Sequence, residues 1–466
     1  MKNMTIEAIA KACNGTIHNI EKNEDSMLRS ATSVVIDSRK VTNDGIFIAT
    51  VGARVDGHDF IRQIFEKGAL AAVCEKLPKD MDDSGYGVCI LVEDSFVALK
   101  QIAAYYRQQL DCKVIGITGS VGKTSTKEII ASVVSKQYVT HKTQGNFNNE
   151  VGVPLTILEC REETEALVLE MGINHFGEMD RLSKIGRPDT MVITNIGECH
   201  LEFLGDRDGV LRAKTECFVN MNPEGYVYLN GDDDKLAGVL EVHGRKPVFF
   251  GLSDANDYYA TDIEPLGLLG TKATLHSPKG YELSVTIPLP GRHMVYNALA
   301  AMAIGDNLAI DGSRIAQGIE EVQALGGRSN IIRTDKYTVI DDCYNANPTS
   351  MEAAIKLLGS ADGIRVAILG DMFELGEDEA ALHEKVGRMA ASSDTDIIIL
   401  IGKLSLNMYN GAGLIRDDGV YYYETVDEAL GELKDIVPNG ASILVKASHS
   451  MGFGRIVDLL TKQEGN

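Results

Sequence analysis

The sequence lacks any long apolar run, and this absence argues against a membrane-spanning helix. No stretch approaches the ~20 apolar residues that cross a bilayer. The N-terminal segment "MKNMTIEAIAKACNG" has the spacing of a short amphipathic helix and lacks the apolar core of a signal peptide. The eight cysteines form no C-x-x-C pair and no cluster with histidines, so we expect reduced, mostly buried thiols. These features predict a cytoplasmic protein.

Basic residues are also scarce. The chain carries 45 Lys and Arg against 67 Asp and Glu, which gives a formal net charge of −22. Because a nucleic-acid backbone requires a basic face, we expect no nucleic-acid partner. If the ligands are themselves anionic, local lysines, arginines and Mg²⁺ must overcome this unfavourable overall field.

What the sequence does contain is "GITGSVGKTSTKE", residues 116–128. The strict phosphate-loop pattern would require a glycine at position 117, which is Ile117, but the other parts are present. "KVIGIT" (113–118) predicts a buried strand, and residues 123–137 have helical spacing. A phosphate would then lie at a helix N-terminus. The loop residues that we expect to bind it are Gly119, Ser120, Val121, Gly122, Lys123, Thr124 and Ser125. An ordinary Gly-rich turn is the alternative, and the agreement of strand, loop, Lys-Thr and helix disfavours it.

The order of strand and helix patterns predicts an α/β protein with three domains, since 466 residues exceed what one core supports. Residues 1–94 read as a small α/β domain. Residues 95–326 read as a central P-loop domain with a parallel mononucleotide-binding sheet and a β-rich insertion at roughly 258–288. Residues 327–466 read as a Rossmann-like, doubly wound sheet. The third domain carries no Gly-x-Gly-x-x-Gly, so a dinucleotide there has no support.

Polar residues follow two strands of the predicted central sheet, where open α/β sheets place their ligands. Glu170 ends "ALVLE", and His200 follows "VITNIGECH". Each has a structural alternative: a glutamate that faces solvent, or a histidine that only supports the fold. Lys214, on a predicted helix, is most simply a solvated lysine. The turn "TQGNFNNEVGVP" (143–154) is either punctuation between elements or a set of amide hydrogen-bond partners for a ligand.

Several motifs in order resemble the Mur ligase family along nearly the whole chain. They are the loop 118–125, "GNFNNEVGVP", "LEMGINHFGE", "TNIGECHLEFLG", "AKTECF", "GRHMVYNALAA", "GGR", "DDCYNANPTSM" and "LGDMFELG". The P-loop of this family commonly lacks the first glycine, which accounts for Ile117. One departure is "KASHSMGFGRIV", where His449 stands in a segment expected to be more basic or polar, and this weakens any role for residues 446–452.

The resemblance implies an ATP-dependent amide-forming ligase that uses Mg²⁺. ATP would phosphorylate the carboxylate of a UDP-muramoyl peptide, and an amine would attack the acyl phosphate. "DDCYNANPTSM" and "LGDMFELGE" resemble the members that use UDP-MurNAc-tripeptide and D-Ala-D-Ala. The first domain would bind the UDP-sugar, and the third would bind the dipeptide. Because an acyl phosphate must be kept from water, we also expect a mobile 326–466 unit.

The resemblance also implies roles for individual residues. Lys123 would contact the outer phosphates and Thr124 one Mg²⁺, while Glu170 and His200 would hold a second Mg²⁺ or orient the substrate around it. Lys214 matches a lysine that is carbamylated in several members, and it would then join the metal site. The nucleotide would also meet Asn297, which without the resemblance reads as a helix-surface amide, and Arg328 and Asp342. The expected substrate-binding residues are Ser38, Arg39, Asp56, Gly57, His58, Asn146, Asn149, Tyr344, Asn345 and Asn347.

Three other functions stay open from the sequence. A ligase that adds glutamate to folate would not need the segment "DSRKVTNDGIFIATVGARVDGHDFI" (37–61). A P-loop regulatory NTPase would not need a third α/β domain, and the chain has no Asn-Lys-x-Asp for guanine. A catalytically silent paralogue is disfavoured by the intact Lys123, Thr124, Glu170 and His200. The third residue of the tripeptide, lysine or diaminopimelate, is left undetermined, and we expect a monomer.

Overall fold

The computed structural model describes residues 1–20, 24–27, 29–79, 81 and 85–462. The N-terminal part of the chain forms a five-stranded sheet of order β1-β5-β4-β3-β2, in which only β1 runs antiparallel to its neighbour. Its elements are α1 (Ile6–Ala12), β1 (Thr16–His18), α2 (Glu24–Met27), β2 (Val34–Val35), β3 (Ile46–Ile48), α3 (Ile61–Glu66), β4 (Ala71–Cys74) and β5 (Val88–Leu91).

A six-stranded, fully parallel sheet of order β11-β10-β9-β6-β8-β7 forms the middle of the molecule. Its central strands are buried on both faces, as expected for a parallel sheet covered by helices. The elements are α4 (Ser95–Arg107), β6 (Lys113–Thr118), α5 (Lys123–Val134), β7 (Thr140–Lys142), α6 (Gly152–Glu159), β8 (Ala166–Glu170), α7 (Glu178–Gly186), β9 (Thr190–Ile193), α8 (Leu201–Leu204), α9 (Arg207–Thr215), β10 (Tyr226–Asn230) and β11 (Val248–Phe250).

A three-stranded antiparallel sheet follows the central sheet and packs on its helices. It consists of β12 (Tyr259–Pro265), β13 (Thr271–His276) and β14 (Glu282–Ile287), which confirms the predicted β-rich insertion. Asp306 anchors the insertion, because its buried carboxylate accepts hydrogen bonds from Tyr258, Ser277 and Tyr281. Two helices complete this part of the chain, α10 (Met294–Asn307) and α11 (Gly312–Glu320).

The C-terminal part forms a second six-stranded sheet, of order β15-β16-β20-β17-β18-β19. All neighbours are parallel except β15 and β16, which pair antiparallel. Its elements are β15 (Asn330–Arg333), β16 (Thr338–Asp341), α12 (Pro348–Gly359), β17 (Arg365–Gly370), α13 (Glu379–Ser392), β18 (Ile397–Ile401), α14 (Ser405–Gly413), β19 (Val420–Tyr423), α15 (Val426–Ile436), β20 (Ser442–Lys446) and α16 (Gly454–Thr461). Helices cover both faces, as in a doubly wound fold.

The mixed α/β architecture confirms the predicted fold class. The predicted strand at 113–118 is β6, and the predicted helix at 123–137 is α5, which ends three residues earlier. The short strands β1, β7, β15 and β19 were not predicted from the sequence, because runs of three or four residues give little periodicity. The domain boundaries at 94/95 and 326/327 stay predictions, and residues 463–466 of the predicted third domain lie outside the described residues. Within the described part of the chain, no helix has the length and apolar character needed to cross a membrane.

Candidate active site

The loop between β6 and α5 has the geometry of a phosphate-binding loop. Gly119 and Gly122 take positive φ values of 147° and 80°, which other residues rarely adopt. A Cβ atom on Gly119 would lie 1.9 Å from the Thr194 hydroxyl, so this position also needs glycine for space. No side chain caps α5, so the N–H groups of its first turn are left for an anion.

The position that breaks the strict motif lies inside the strand. Ile117 is fully buried in the core beneath β6, and the turn itself starts at Gly119. The loop is held instead by the end of β9, because the Asn195 side chain accepts a hydrogen bond from Val121 N at 3.0 Å and donates one to Val121 O. Thr194 also donates to Val121 O, at 2.6 Å. A glycine at position 117 is therefore unnecessary here.

Glu170 lies at the end of β8 with no exposed surface, so the alternative of a solvent-facing glutamate is wrong. Its Oε1 accepts hydrogen bonds from the Thr124 hydroxyl at 3.1 Å and from the Asn148 amide at 2.8 Å. Its Oε2 has no hydrogen-bond partner among the described residues and lies 3.6 Å from the buried Lys127 ammonium. The side chain is thus held at the foot of the phosphate loop with one oxygen under-satisfied.

These donors suit a magnesium ion. The Thr124 hydroxyl and the Glu170 carboxylate are hard oxygen ligands, and Mg²⁺ is usually held by one or two carboxylates together with phosphate oxygens and waters. In the part of the chain that the structure describes, no three His, Cys, Asp or Glu side chains cluster as a complete metal cage. Any Mg²⁺ here would therefore depend on the phosphates of a nucleotide.

Two lysines bring positive charge to this region without a carboxylate partner among the described residues. Burial, and next the charge of Lys214, lower the pKa of Lys123 to about 8, and its ammonium donates to the carbonyls of Gly119 and Ser120. Lys214 is only 1% exposed, and burial lowers its pKa as well. The interpretation of Lys214 as a solvated surface lysine is therefore wrong.

His200 lies beside these lysines and reaches the C-terminal part of the chain. Burial lowers its pKa, and the hydrogen bond to Glu374 opposes that shift. The distance from His200 Nδ1 to Glu374 Oε2 is 2.5 Å. Both residues line the cleft, and both have positive φ values, 52° and 63°. Backbone strain at two contacting polar residues is typical of functional sites.

The C-terminal part of the chain supplies the opposite wall of the cleft. The Arg328 guanidinium lies 3.9 Å from the centroid of the Tyr344 ring, and the His449 ring packs on Tyr344 at 5.4 Å. Lys446 is 2% exposed and forms an ion pair with Asp342 at 2.6 Å. The segment 446–452, whose role the sequence had put in doubt, thus contributes one residue that lines the cleft and one that supports its wall.

The cleft between the two walls has a volume of about 810 Å³. Asn297 lines the cleft and is only 6% exposed. The interpretation that the residues alone favoured, an amide on the helix surface, is therefore wrong. Its Oδ1 accepts a hydrogen bond from Thr126 at 2.9 Å. Of the predicted site residues, the cleft also brings together Ser120, Val121, Gly122, Lys123, Ser125, Asn149, Glu170, His200, Arg328, Asp342, Tyr344, Asn345 and Asn347.

Other predicted residues do not line this cleft. Asn146 is exposed outside it, whereas its neighbour Asn148 makes the contact with Glu170. In the N-terminal part, Asp56 binds the His58 ring at 2.6 Å and the Lys76 ammonium at 2.7 Å. The remaining predicted residues away from the lining are Ser38, Arg39, Gly57, Gly119, Thr124 and Lys214.

Five residues that sequence analysis did not assign to the site contribute to it: Asn148, Asn195, Lys127, Glu374 and Lys446. All five stand in quoted segments, but none was given a role of its own. For Lys127, helical periodicity offered a signal, since it follows Thr124 by one turn and shares its face. The contact between Glu374 and His200 joins residues 174 positions apart and has no local signal.

The fold and the cleft define a class: a three-domain α/β protein whose central sheet presents a phosphate-binding loop to a wall formed by the C-terminal sheet. Three family models match the chain. They are described as Mur ligase family, catalytic domain (residues 30–106), Mur ligase middle domain (117–305) and Mur ligase, glutamate ligase domain (327–449).

Curated relatives match over nearly the full length. UDP-N-acetylmuramoyl-tripeptide–D-alanyl-D-alanine ligase of Bacillus subtilis is 37% identical over 97% of each chain, and the enzyme of that name from Escherichia coli is 34% identical over 99% of each. A crystal structure of MurF from Acinetobacter baumannii has a TM-score of 0.87 at 34% identity and covers 98% of this chain and 99% of its own. MurF ligase from Thermotoga maritima in complex with ADP has a TM-score of 0.78 at 28% identity, with coverages of 92% and 97%. The chain belongs to the Mur ligase family.

Proposed function

We propose that this chain is an ATP-dependent ligase that joins D-alanyl-D-alanine to UDP-N-acetylmuramoyl-tripeptide. The products are UDP-MurNAc-pentapeptide, ADP and phosphate, for peptidoglycan precursor synthesis. The observation that carries the proposal is the full-length similarity to relatives with this activity in their names. The cleft supports it, because a phosphate loop faces basic side chains across a volume large enough for a nucleotide and a peptide end.

The chemistry has two steps. The substrate carboxylate attacks the γ-phosphorus of ATP, the bond to the ADP oxygen breaks, and an acyl phosphate forms. The dipeptide amine then attacks the acyl carbon, the bond to the phosphate oxygen breaks, and the amine loses a proton as the amide forms. Since an anion attacks an anion in the first step, positive charge around the transferred group is the main requirement.

Residues of both walls would supply this positive charge. Lys123 and the N-terminus of α5 would bind the outer phosphates, and Asn297 would contact the adenine end. Arg328 would reach the phosphates from the opposite wall, with its guanidinium held flat by Tyr344. Asp342 would accept a hydrogen bond from the nucleotide, with Lys446 compensating its charge. Tyr344, Asn345 and Asn347 would shape the dipeptide end of the cleft.

Thr124 and Glu170 would hold one Mg²⁺, and His200 would join Glu170 at a second. When bound, Mg²⁺ neutralises phosphate charge and so favours phosphoryl transfer. The chain's own contribution is to keep the ligand oxygens in place: Asn148 donates to Oε1 of Glu170, and the Lys127 ammonium lies 3.6 Å from Oε2.

We further propose that Lys214 is carbamylated. Because burial favours the neutral amine, the Lys214 nitrogen can attack CO₂, form an N–C bond and release a proton to water. The resulting anion would sit beside Lys123 and His200, where it would replace a repulsive charge by an attractive one. Mass spectra of native protein should show the added carboxyl group. Unmodified lysine together with activity that is indifferent to bicarbonate would exclude the modification.

The three domains would divide the substrates. Residues 1–94 would bind the UDP-sugar, with Ser38, Arg39 and Gly57 as contacts. Asp56 and His58 would hold the shape of that site through their mutual hydrogen bond. Residues 95–326 would bind ATP, and residues 327–466 would bind the dipeptide and move on closure. We propose that the protein works as a cytoplasmic monomer, which light scattering during size-exclusion chromatography would check.

The test is phosphate release from ATP and Mg²⁺ with UDP-MurNAc-tripeptide present and D-Ala-D-Ala added or omitted. The proposal predicts release that requires both substrates and a new mass for UDP-MurNAc-pentapeptide. The same assay with the lysine-type and the diaminopimelate-type tripeptide identifies the third residue. Release that ignores both substrates would reduce the chain to a phosphate-releasing NTPase.

A further inference from the structure

Glu374 makes a contact between the two walls of the cleft that the proposed chemistry does not use. It lies in the loop after β17, in the C-terminal sheet, and its carboxylate binds the ring of His200, which precedes α8 in the central part. The Glu374 side chain is 41% exposed, whereas His200 is largely buried. An exposed acid from one domain thus holds a buried imidazole of another.

The loop that carries Glu374 is fixed within its own domain on both sides. The Asp371 carboxylate accepts hydrogen bonds from the Ser405 backbone and hydroxyl, at 2.7 and 2.6 Å. Met372 N donates to the His383 ring, and Leu375 is buried in the core. Glu374 itself adopts a φ of 63°, which non-glycine residues rarely take. Its direction toward His200 is therefore imposed by the loop.

The partner is equally constrained. His200 has a φ of 52° at the start of α8, and the Glu374 loop packs on the same turn, since a Cβ atom on Gly376 would lie 3.4 Å from Glu202 N. The Glu374 contact occupies Nδ1 of the ring. The other nitrogen, Nε2, has no hydrogen-bond partner in the described part of the chain, and the residue lines the cleft.

We propose that Glu374 is a positioning residue for His200 that acts only when the two walls are together. By accepting a hydrogen bond from Nδ1–H, the carboxylate selects the tautomer whose Nε2 lone pair faces the cleft, as outer carboxylates do for ligating histidines. Separation of the domains removes Glu374 from His200. The site is therefore complete only when the domains are closed. The kinetic part of this inference rests on the proposed function, whereas the tautomer of His200 does not.

The test compares Glu374→Ala with Glu377→Ala, a matched loss of a carboxylate from the same loop at an exposed position. Glu374→Gly is a second variant, since glycine accepts a φ of 63° without strain and so preserves the loop. The first readout is the ¹⁵N NMR spectrum of the histidine rings of the full chain in chelator-treated buffer, with the His200 signals assigned by their loss in His200→Asn. The second is steady-state kinetics.

The expected result is a protonated Nδ1 in the unmodified chain and in Glu377→Ala, and a shift toward Nε2 protonation in Glu374→Ala and Glu374→Gly. In these two variants kcat should fall about 10- to 100-fold, while the KM for ATP changes less than about twofold. The proposal would be overturned if both Glu374 variants gave the same His200 signals as Glu377→Ala. It would also be overturned if both gave the same kcat as Glu377→Ala. Absence of ligase activity in the unmodified chain would count against the proposed function and leave the NMR comparison decisive.

Discussion

The two walls of the cleft treat their charges differently. On the central wall, Lys123 has no carboxylate partner among the described residues, nor has the nearby Lys214, which does not line the cleft, and burial lowers both pKa values. On the C-terminal wall, Lys446 is paired with Asp342 at 2.6 Å, and Arg328 lies over the ring of Tyr344. Both walls carry positive charge, but of these side chains only Lys446, on the second wall, is paired with a carboxylate.

This difference separates the work of the two walls. A partly buried ammonium without a counter-ion lowers the stability of the folded protein. Binding of an anion at that position raises the stability again. A compensated ion pair gives a fixed surface that needs no ligand to keep its shape. We infer that the central wall serves to bind the charge of the phosphates. The C-terminal wall serves to hold its side chains in a fixed arrangement. Substitution of Lys123 should therefore act mainly on activity, and substitution of Lys446 should also lower stability.

The largest expected effect follows Lys123→Met on the central wall. Loss of the ammonium should lower kcat/KM about 10²- to 10³-fold, because Lys123 is the cation of the phosphate loop itself and Arg328, on the opposite wall, cannot take its place. Thermal stability should stay equal or rise, since an unpaired charge is removed. Substrate-dependent phosphate release measures kcat/KM, and a melting curve measures thermal stability. Lys113→Met, at the exposed far end of β6, is the control. A clear fall in melting temperature would show that the central wall depends on this charge for its shape.

Lys446→Met on the C-terminal wall should, unlike Lys123→Met, lower the stability of the fold. The change leaves the largely buried Asp342 carboxylate without its cation, which should cost about 3–5 kcal/mol of unfolding free energy. Replacing both partners, as in Lys446→Met with Asp342→Leu, should recover much of that loss without recovering activity. Denaturant unfolding of the single and double variants provides the measurement. If the single change is neutral for stability, the ion pair is not structural.

A smaller effect is expected for Arg328→Lys. Lysine keeps the charge but loses the planar contact with Tyr344, which is worth about 0.5–2 kcal/mol. The KM for ATP should rise several-fold and the melting temperature should fall slightly, and Arg333→Lys, on an exposed position of β15, serves as control. Equal KM values for the two variants would mean that Arg328 does not meet the nucleotide.

The smallest effect concerns pH. The pKa of Lys123 is lowered from its usual 10.5 to about 8, so the unfolded chain binds more protons than the folded chain between these values. The cost of burying the ammonium is therefore complete below about pH 8 and is relieved as the pH rises toward 10.5. The melting temperature of Lys123→Met minus that of the unmodified chain should be positive at pH 7 and shrink by pH 9.5. A difference independent of pH would contradict the lowered pKa.

The same comparison shows what the sequence could predict. The strand, turn and helix of the loop were predicted because strand, glycines, Lys-Thr and helix are contiguous, and the mismatch at Ile117 was harmless because that side chain belongs to the core. The burial of Lys214 was missed, since a lysine on a helix gives no local sign of what packs over it. The C-terminal wall depends on long-range contacts such as Lys446 with Asp342, 104 positions apart. Local patterns cannot register such pairs.

The most direct test of the account follows the oxygen atoms of the substrate. UDP-MurNAc-tripeptide labelled with ¹⁸O at its terminal carboxylate is incubated with the protein, ATP, Mg²⁺ and D-Ala-D-Ala. The ¹⁸O content of the released phosphate is then measured by mass spectrometry. An acyl phosphate formed between the two walls requires one ¹⁸O atom in each phosphate released with product. Unlabelled phosphate accompanying the pentapeptide would contradict transfer of the γ-phosphoryl group to the substrate carboxylate.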